Sequence, residues 1–314
     1  MPSADNSSSH KKRALIIGNG TYKLKENRLE HAVKNARELS GLLETINFKV
    51  TTRLNVDKEI LNTIATFAEE ITDGDLVLVY FSGQCRQVDG TNYMIPTDDE
   101  KIGKDMDVQD IGANVTSALS KITDKNQSYV NIFILDCNKR YFYKNESPSN
   151  PGEQNKGLQT MTVPDETFIQ FSCAAHQFID NKRKKTQDNL FAKHLCENIV
   201  LADVSIPDMF EKIVKGVIRQ SKGQQKPLSI NGLHEYKHVC LYAMSDEDII
   251  NDCNEFIENL KRELEELALQ QPHEGSSYDH FVGHRIGEIR ALIHVLTLRR
   301  NDAIRRRYST FPVK

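Results

Sequence analysis

The stretch from Asp75 to Cys85, DLVLVYFSGQC, constrains the fold of this chain more than any other. After a polar turn it runs through aliphatic, β-branched and aromatic residues from Leu76 to Phe81, a pattern typical of a strand buried on both faces. Amphipathic helical patterns flank it, so we predict a central strand of a parallel sheet. Open parallel sheets place their sites beyond the carboxyl ends of strands. We therefore expect Ser82 to Cys85 to lie at a site.

The segments around this strand alternate between short apolar runs and helical patterns. This order predicts an α/β fold with an open, mostly parallel sheet, right-handed crossovers and helices on its flanks. The polar turns that follow the third and fourth strands are expected to converge. The predicted strands are Arg13–Gly18, Phe48–Val50, Leu76–Phe81, Val130–Leu135, Phe168–Ser172 and Lys237–Ala243, and the predicted helices fall within 29–43, 57–71, 108–122, 189–200 and 205–218.

The composition changes at Ser245 to long charged helices, which predicts a separate C-terminal unit over residues 245–314. Its apolar residues recur at spacings of three and four, so an antiparallel helical hairpin is expected, with its turn at 272–277. Residues 1–12 are interpreted as a disordered tail, and 138–166 as a long, mobile polar loop. The predicted seam of the hairpin contains Ile249, Cys253, Phe256, Leu260, Leu264, Leu267, Val282, Ile286, Ile289, Ile293 and Leu296.

Charge and composition argue against several classes of function. A net charge of -3 over 314 residues offers no basic field for nucleic acid. The polar N-terminal segment has no apolar core, and no later apolar run is long enough to span a bilayer, so neither a signal peptide nor membrane association is expected. The six cysteines show no C-x-x-C spacing, which predicts a reduced, cytoplasmic protein without disulfides. No metal and no other cofactor is expected.

Eight motifs follow one another along the chain: ALIIGN, ARELSGLL, INFKV, YFSG, NIFILD, FSC, NLFAKHL and GQQKPLS. As an ordered set they resemble the caspase-type cysteine peptidase domain, most nearly its paracaspase and metacaspase branch, over residues 13–243. The resemblance implies a caspase-like fold in which 13–137 is large-subunit-like and 167–243 is small-subunit-like. It does not extend to the helical hairpin.

In that family a histidine follows the central strand in a Gly-His-Gly turn, and it helps to form the thiolate of a cysteine that follows the next strand. Gln84 stands at the histidine position here, and an amide cannot take up a proton near neutral pH. The nucleophile position falls on Cys137 if one residue is deleted, in which case Lys139 and Arg140 match basic residues of paracaspases. Without a gap it falls on Asn138. We prefer the gapped match, although the cysteine is displaced or lost in both.

The resemblance also implies a primary substrate pocket whose acids hold Arg or Lys. Asp136 and Asp180 match two of these positions, and Asn35 stands where paracaspases have a third acid. A carboxylate pair can hold a guanidinium group. The alternative is that Asp136 caps a turn and that Asp180 is a solvated loop residue.

Other reactive side chains are interpreted more simply. His194 shares a helix face with Leu190 and is expected to pack. His176 lies in a loop from which it could approach the site. Cys85 and Cys173 are interpreted as small apolar fillers.

These observations predict a catalytically impaired caspase-like protein that acts by binding a protein or peptide. The alternative is an active cysteine endopeptidase that cleaves after Arg or Lys, using Cys137 and an unrecognised base. A third expectation concerns assembly, because family members often pair through the edge strand, predicted here at 237–243. Lys237 and His238 would limit uncontrolled pairing at that edge, and the hairpin offers a second surface for a partner.

Overall fold

A computed structural model describes residues 10–137, 140–146, 158–174, 190–269 and 277–309. The chain divides into two compact units, one that ends at Tyr242 and one that begins at Ala243. The first is an α/β unit and the second is a pair of long helices. Among the helices so described, none has the length and apolar character needed to cross a membrane.

The described strands form two sheets. The larger has six strands in the order β2-β1-β3-β7-β8-β9, all parallel except β9, which runs antiparallel to β8. The smaller contains β4, β5 and β6 and is antiparallel. The strands are β1 (Lys12–Gly18), β2 (Phe48–Leu54), β3 (Leu76–Ser82), β4 (Cys85–Val88), β5 (Thr91–Met94), β6 (Ala113–Asn114), β7 (Asn131–Asp136), β8 (Thr167–Phe171) and β9 (Leu228–Asn231).

Helices connect the strands of the larger sheet, as the alternating pattern predicts, and the expected mostly parallel α/β fold is confirmed. In the α/β unit they are α1 (Ala32–Thr45), α2 (Ile60–Ala68), α3 (Asp105–Ile111), α4 (Val115–Thr123), α5 (Leu190–Asn198) and α6 (Ile206–Gln220). The second unit contains α7 (Asp246–Leu269) and α8 (Ser277–Ser309).

Strand β3 occupies the centre of the larger sheet, between β1 and β7, and every one of its residues is buried. Side chains alternate between the two faces of a strand, so Leu78 and Tyr80 enter the core on one face while Val79 and Phe81 enter the core on the other. Burial of each large apolar side chain contributes about 1.5–3 kcal/mol. The continuous apolar run is therefore explained by helices that cover both faces.

The predicted last strand, residues 237–243, is wrong in position. Strand β9 closes the sheet instead, while the predicted segment forms only isolated bridges, at Cys240 to Ser205 and at Tyr242 to Ala202. The apolar character of this segment is explained by Leu241, which is 1% exposed and packs into the core cluster that also contains Leu78 and Tyr80. The edge strand on this side of the larger sheet is therefore β9, and β2 forms the opposite edge.

The predicted helix over residues 108–122 is interrupted in the structure. Helix α3 ends at Ile111, and Ala113 and Asn114 pair with β5 before α4 begins. The side chain of Asn114 accepts a hydrogen bond from the Ser117 backbone N–H at 3.1 Å, which satisfies a donor at the start of α4. This cap, together with Gly112, accounts for the break.

The first part of the predicted loop over residues 138–166 is better anchored than its composition indicates. Tyr141, Phe142 and Tyr143 are all buried, and the first and last of these pack with the small sheet. The aromatic residues at the start of the loop thus belong to the core, and the prediction of a mobile polar loop is wrong for them.

The second unit is the expected antiparallel hairpin. The guanidinium of Arg285 on α8 contacts both carboxylate oxygens of Glu263 on α7, at 2.9 and 3.2 Å. Phe256, expected in the seam, is 58% exposed, and its neighbour Ile257 is buried instead. The predicted turn lies outside the described residues except for Ser277. Buried in the hairpin are Ile249, Cys253, Ile257, Ile289 and Ala303.

Candidate functional site

The carboxyl ends of the three central strands lie side by side. In the parallel register Gly18 is opposite Ser82, and Ser82 is opposite Asp136. The chain leaves β3 into Gly83 and leaves β7 into Cys137, so both polar turns begin at the same level of the sheet. The predicted convergence of these turns is confirmed, and the candidate site lies where parallel sheets usually carry their sites.

Gln84 is held in a buried position directly after this turn, with 1% of its surface exposed. Its backbone N–H donates to the hydroxyl of Tyr22 at 2.7 Å, and its side-chain Nε2 donates to the carbonyl oxygen of Asn27 at 2.9 Å. Gly83 permits this approach, since a Cβ there would lie 2.9 Å from the Tyr22 hydroxyl. Gln84 is thus a donor within a packed polar network.

The network continues through uncharged amide groups to one acid. The Asn27 side chain donates to Asp99 and to the Phe142 carbonyl, both at 2.8 Å, and it accepts from the Phe142 N–H at 2.8 Å. Burial raises the pKa of Asp99, and burial likewise raises the pKa of Tyr22 far above its usual range. Near neutral pH, Tyr22 remains a protonated phenol and Gln84 and Asn27 are neutral amides, so neither Gln84 nor the two residues that it contacts directly in the described chain offers a base; the acid of the network, Asp99, is reached only through Asn27.

Cys85 faces the other turn. Its sulfur is bonded to that of Cys137, and the Cα atoms of the two residues are 5.7 Å apart, within the usual range for a disulfide. Consecutive side chains of an extended segment point in opposite directions, which explains why Gln84 faces Asn27 while Cys85 faces Cys137. The expectations of no disulfide, and of Cys85 as a mere apolar filler, are wrong.

The histidines that the structure describes do not partner Cys137. His194 packs as predicted, with Nε2 2.9 Å from the side-chain oxygen of Gln220 and its ring against Gly216. In the part of the chain that the structure describes, no imidazole is hydrogen-bonded to Cys137. His176 lies outside the described residues, and so does Asn138, the other candidate for the nucleophile position.

Asp136, the last residue of β7, is also buried. Its Oδ2 accepts a hydrogen bond from the Tyr80 hydroxyl at 3.0 Å. Burial raises the pKa of Asp136 to about 6, and the hydrogen bond from Tyr80 acts in the opposite direction. The carboxylate is therefore largely ionised at neutral pH and is oriented by a hydroxyl group.

A cleft of about 520 Å³ lies between α1 and α5. Asn35, the predicted third pocket position, lines it, and so does Cys196. Burial raises the pKa of the Cys196 thiol to about 12, with smaller contributions from Glu38 and Asp136. Asp136 thus acts electrostatically on this wall of the cleft, whereas Asp180 lies outside the described residues.

The charges that line this cleft are balanced. Two acids, Glu38 and Glu197, and two lysines, Lys34 and Lys193, line the cleft. Lys193 Nζ and Glu197 Oε1 form an ion pair at the surface, with the two atoms 3.8 Å apart. Asn35 is neutral, and Asp136 is not among the residues that line the cleft.

These features define a caspase-type α/β domain. A family model described as "Caspase domain" matches residues 11–235. The chain belongs to the caspase-domain family. The predicted resemblance to the caspase-type peptidases, nearest the paracaspases, is confirmed.

Two curated relatives support the assignment at low identity. Mucosa-associated lymphoid tissue lymphoma translocation protein 1 of Homo sapiens is 23% identical over 219 residues, which covers 68% of this chain and 25% of the human protein. The homolog from Mus musculus is 24% identical over 219 residues, with 68% and 24% covered. The chain thus spans about a quarter of the length of these relatives.

Solved structures share the fold. Caspase-1 from Spodoptera frugiperda superposes with a TM-score of 0.53 at 18% identity, covering 78% of this chain and 99% of the other. The structure of pro-sf-caspase-1 gives a TM-score of 0.51 at 15% identity, with 75% and 91% covered. At these identities the likeness is one of fold.

Sequence reasoning missed the roles of two site residues, Tyr22 and Asn27, and the bond between Cys85 and Cys137. Tyr22 and Asn27 belong to a loop, and no local pattern indicates that they reach residue 84. Cys85 was expected at this end of the sheet, and its bond to Cys137 was within reach of inference because both residues lie shortly after the ends of adjacent strands. The Asp89-Gly90 pair, with both residues at positive φ, is a hairpin signal that marks the turn between β4 and β5.

Proposed function

We propose that this caspase-domain protein binds a protein or peptide partner and is impaired as a peptidase. The observation that carries the proposal is Gln84 at the family's histidine position, fixed by hydrogen bonds to Tyr22 and Asn27. Loss of a positioned general base costs about 10²- to 10⁴-fold in rate. A fold retained around a site without its base favours a role in recognition.

The state of Cys137 supports the same proposal. Its sulfur is bonded to Cys85, so the disulfide form offers no thiolate for attack on a carbonyl. After reduction, a cysteine without a base keeps only a few per cent of thiolate at pH 7. Reduction alone therefore does not restore a nucleophile and base unit.

The test is a peptide-cleavage assay under reducing conditions, with fluorogenic peptides that carry Arg or Lys before the scissile bond. We expect no turnover above that of the Cys137→Ala variant. Cys173→Ala is the matched control, since Cys173 is similarly buried and also follows a strand of the sheet. Turnover that disappears in Cys137→Ala but persists in Cys173→Ala would overturn the proposal.

The second candidate function is a cysteine endopeptidase that cleaves after Arg or Lys. It is favoured by Asp136, a buried carboxylate directly before Cys137 that acts on the wall of the cleft. An electrophilic peptide probe with Arg at its reactive end discriminates between the two functions. Labelling of Cys137 in the reduced protein that is lost in Asp136→Asn would support the enzyme, and absence of labelling would support the binding role.

We also propose homodimerisation through the outer edge of β9. In the described part of the chain this edge has no strand partner, and Leu228 and Ile230 alternate as half-buried residues with exposed Ser229 and Asn231. Light scattering of the full chain over a range of concentrations tests this directly. A monomer at every concentration would contradict it.

A further inference from the structure

We propose that Cys85 and Cys137 form a reversible redox pair, a modification site at which hydrogen peroxide joins the two thiols. The two residues are 52 positions apart in the chain, yet adjacent parallel strands bring them together, with Cα atoms 5.7 Å apart. The proposal concerns thiol chemistry, and it holds whether or not Cys137 cleaves peptides.

One member of the pair, Cys85, stands directly after the position at which the family's histidine is replaced. Relative to the family's Gly-His-Gly turn, the chain has Gln84 in place of histidine and Cys85 in place of the second glycine. The first change takes away a proton acceptor, and the second adds a sulfur that faces Cys137. A nucleophile and base pair is thereby replaced by two thiols.

The surroundings favour a disulfide over other uses of two sulfurs. Both residues belong to one apolar cluster, with 7% and 9% of their surfaces exposed. Metal sites need further ligands, and in the described residues no group of three or more His, Cys, Asp or Glu side chains could hold a metal ion. The four other cysteines form no disulfide in that part of the chain. Between metal binding and a disulfide, the described surroundings therefore favour the disulfide.

The reaction balances with one equivalent of peroxide. One thiolate attacks an oxygen of hydrogen peroxide, so that an S–O bond forms, the O–O bond breaks and hydroxide leaves. The second thiolate attacks that sulfur, so that the S–S bond forms, the S–O bond breaks and a second hydroxide leaves. The two protons lost from the thiols convert both hydroxides to water. A dithiol reverses the change by thiol-disulfide exchange.

The test is a count of thiols in the full-length protein. The protein is fully reduced, treated with one equivalent of hydrogen peroxide and quenched. It is then unfolded in guanidinium and alkylated. Mass spectrometry of the intact protein, and of a digest made without reduction, counts the alkylated cysteines and identifies linked peptides. We expect two of the six cysteines to escape alkylation, a linked peptide pair that contains Cys85 and Cys137, and recovery of all six alkylated cysteines after dithiothreitol. Six alkylated cysteines after peroxide, or links that involve other cysteines, would overturn the proposal.

Variants identify the partner role of Cys85. In Cys85→Ala we expect peroxide to leave Cys137 as a sulfenic acid that a 1,3-dione traps, without an internal disulfide. In Cys240→Ala, the control, the Cys85–Cys137 link should form as in the unmodified chain. Trapping in the unmodified chain equal to that in Cys85→Ala would contradict the role of Cys85. Since the count on the unmodified chain needs no variant, a misfolded variant would not leave the proposal untested, and the count is independent of peptidase activity.

Discussion

The side-chain Nε2 of Gln84 donates a hydrogen bond to the backbone carbonyl of Asn27 at 2.9 Å. This bond directs the side chain at the family's histidine position into a buried network, and the next residue, Cys85, faces the sulfur of Cys137. Two adjacent residues, Gln84 and Cys85, therefore face different partners at the candidate site. The consequences can be measured separately.

Restoring the family's Gly-His-Gly turn should restore peptide cleavage. In the double variant Gln84→His and Cys85→Gly, the Asn27 carbonyl can accept an imidazole N–H as it accepts the amide, which leaves the other ring nitrogen to take up a proton. We expect cleavage of Arg or Lys peptides to rise by about 10²-fold or more over the unmodified chain, measured fluorometrically. Adding Cys137→Ala to the double variant should abolish the gain. A folded double variant that is no faster than the unmodified chain would show that more than the base is missing.

Asp136 should make stability depend on pH. Burial raises its pKa from 3.8 to about 6, so the folded state holds the proton more tightly than the unfolded state does. Stability from this group is present at low pH and is lost as pH rises through about 6, a loss of about 3 kcal/mol in the free energy of unfolding. Urea unfolding at several pH values measures it.

The control for this pH dependence is Asp136→Asn, which cannot titrate. Its free energy of unfolding relative to the unmodified chain should increase from acidic to neutral pH. In Tyr80→Phe, the pKa-lowering hydrogen bond to Asp136 is absent, and the transition should move to higher pH. A difference between Asp136→Asn and the unmodified chain that stays constant with pH would refute the assignment.

Reduction of the Cys85–Cys137 bond should destabilise the α/β unit. The bond closes a segment with a sequence separation of 52, and for a loop of this length the chain-entropy model gives about 4 kcal/mol. We expect the urea midpoint of the oxidised protein to fall on addition of dithiothreitol. The Cys85→Ala and Cys137→Ala double variant should show no such dependence, and an unchanged midpoint in the parent chain would contradict the prediction.

Gly83 should be intolerant of a side chain. A Cβ at this position would lie 2.6 Å from the ring of Phe81 and 2.9 Å from the Tyr22 hydroxyl, so Gly83→Ala is expected to cost about 1–3 kcal/mol. Gly41→Ala in α1 is the matched control, because a Cβ there meets nothing within 4 Å. That variant should gain about 0.5–1 kcal/mol. Equal unfolding midpoints for the two variants would count against close packing at the turn.

Strands buried on both faces were predictable because their signal is local. The runs around Leu78 and Ile134 are continuous and apolar, and both are strands of the larger sheet. Strand β9 was missed because an edge strand buries one face only, and Leu228 to Asn231 is short and half polar. Phe256 was misplaced for a related reason: a helical spacing of three or four leaves the centre of the buried face uncertain by one residue.

The amino-acid sequence by itself determined the α/β alternation, the family resemblance and the presence of an amide at residue 84. Only the tertiary structure decided that Gln84 faces Asn27 and that Cys85 faces Cys137. The physical reason is that burial patterns report on neighbours within one element, whereas the direction of a side chain in a turn depends on hydrogen bonds from distant segments. Tyr22 and Asn27 supply those bonds from a loop some 60 residues earlier in the chain, with separations of 62 and 57.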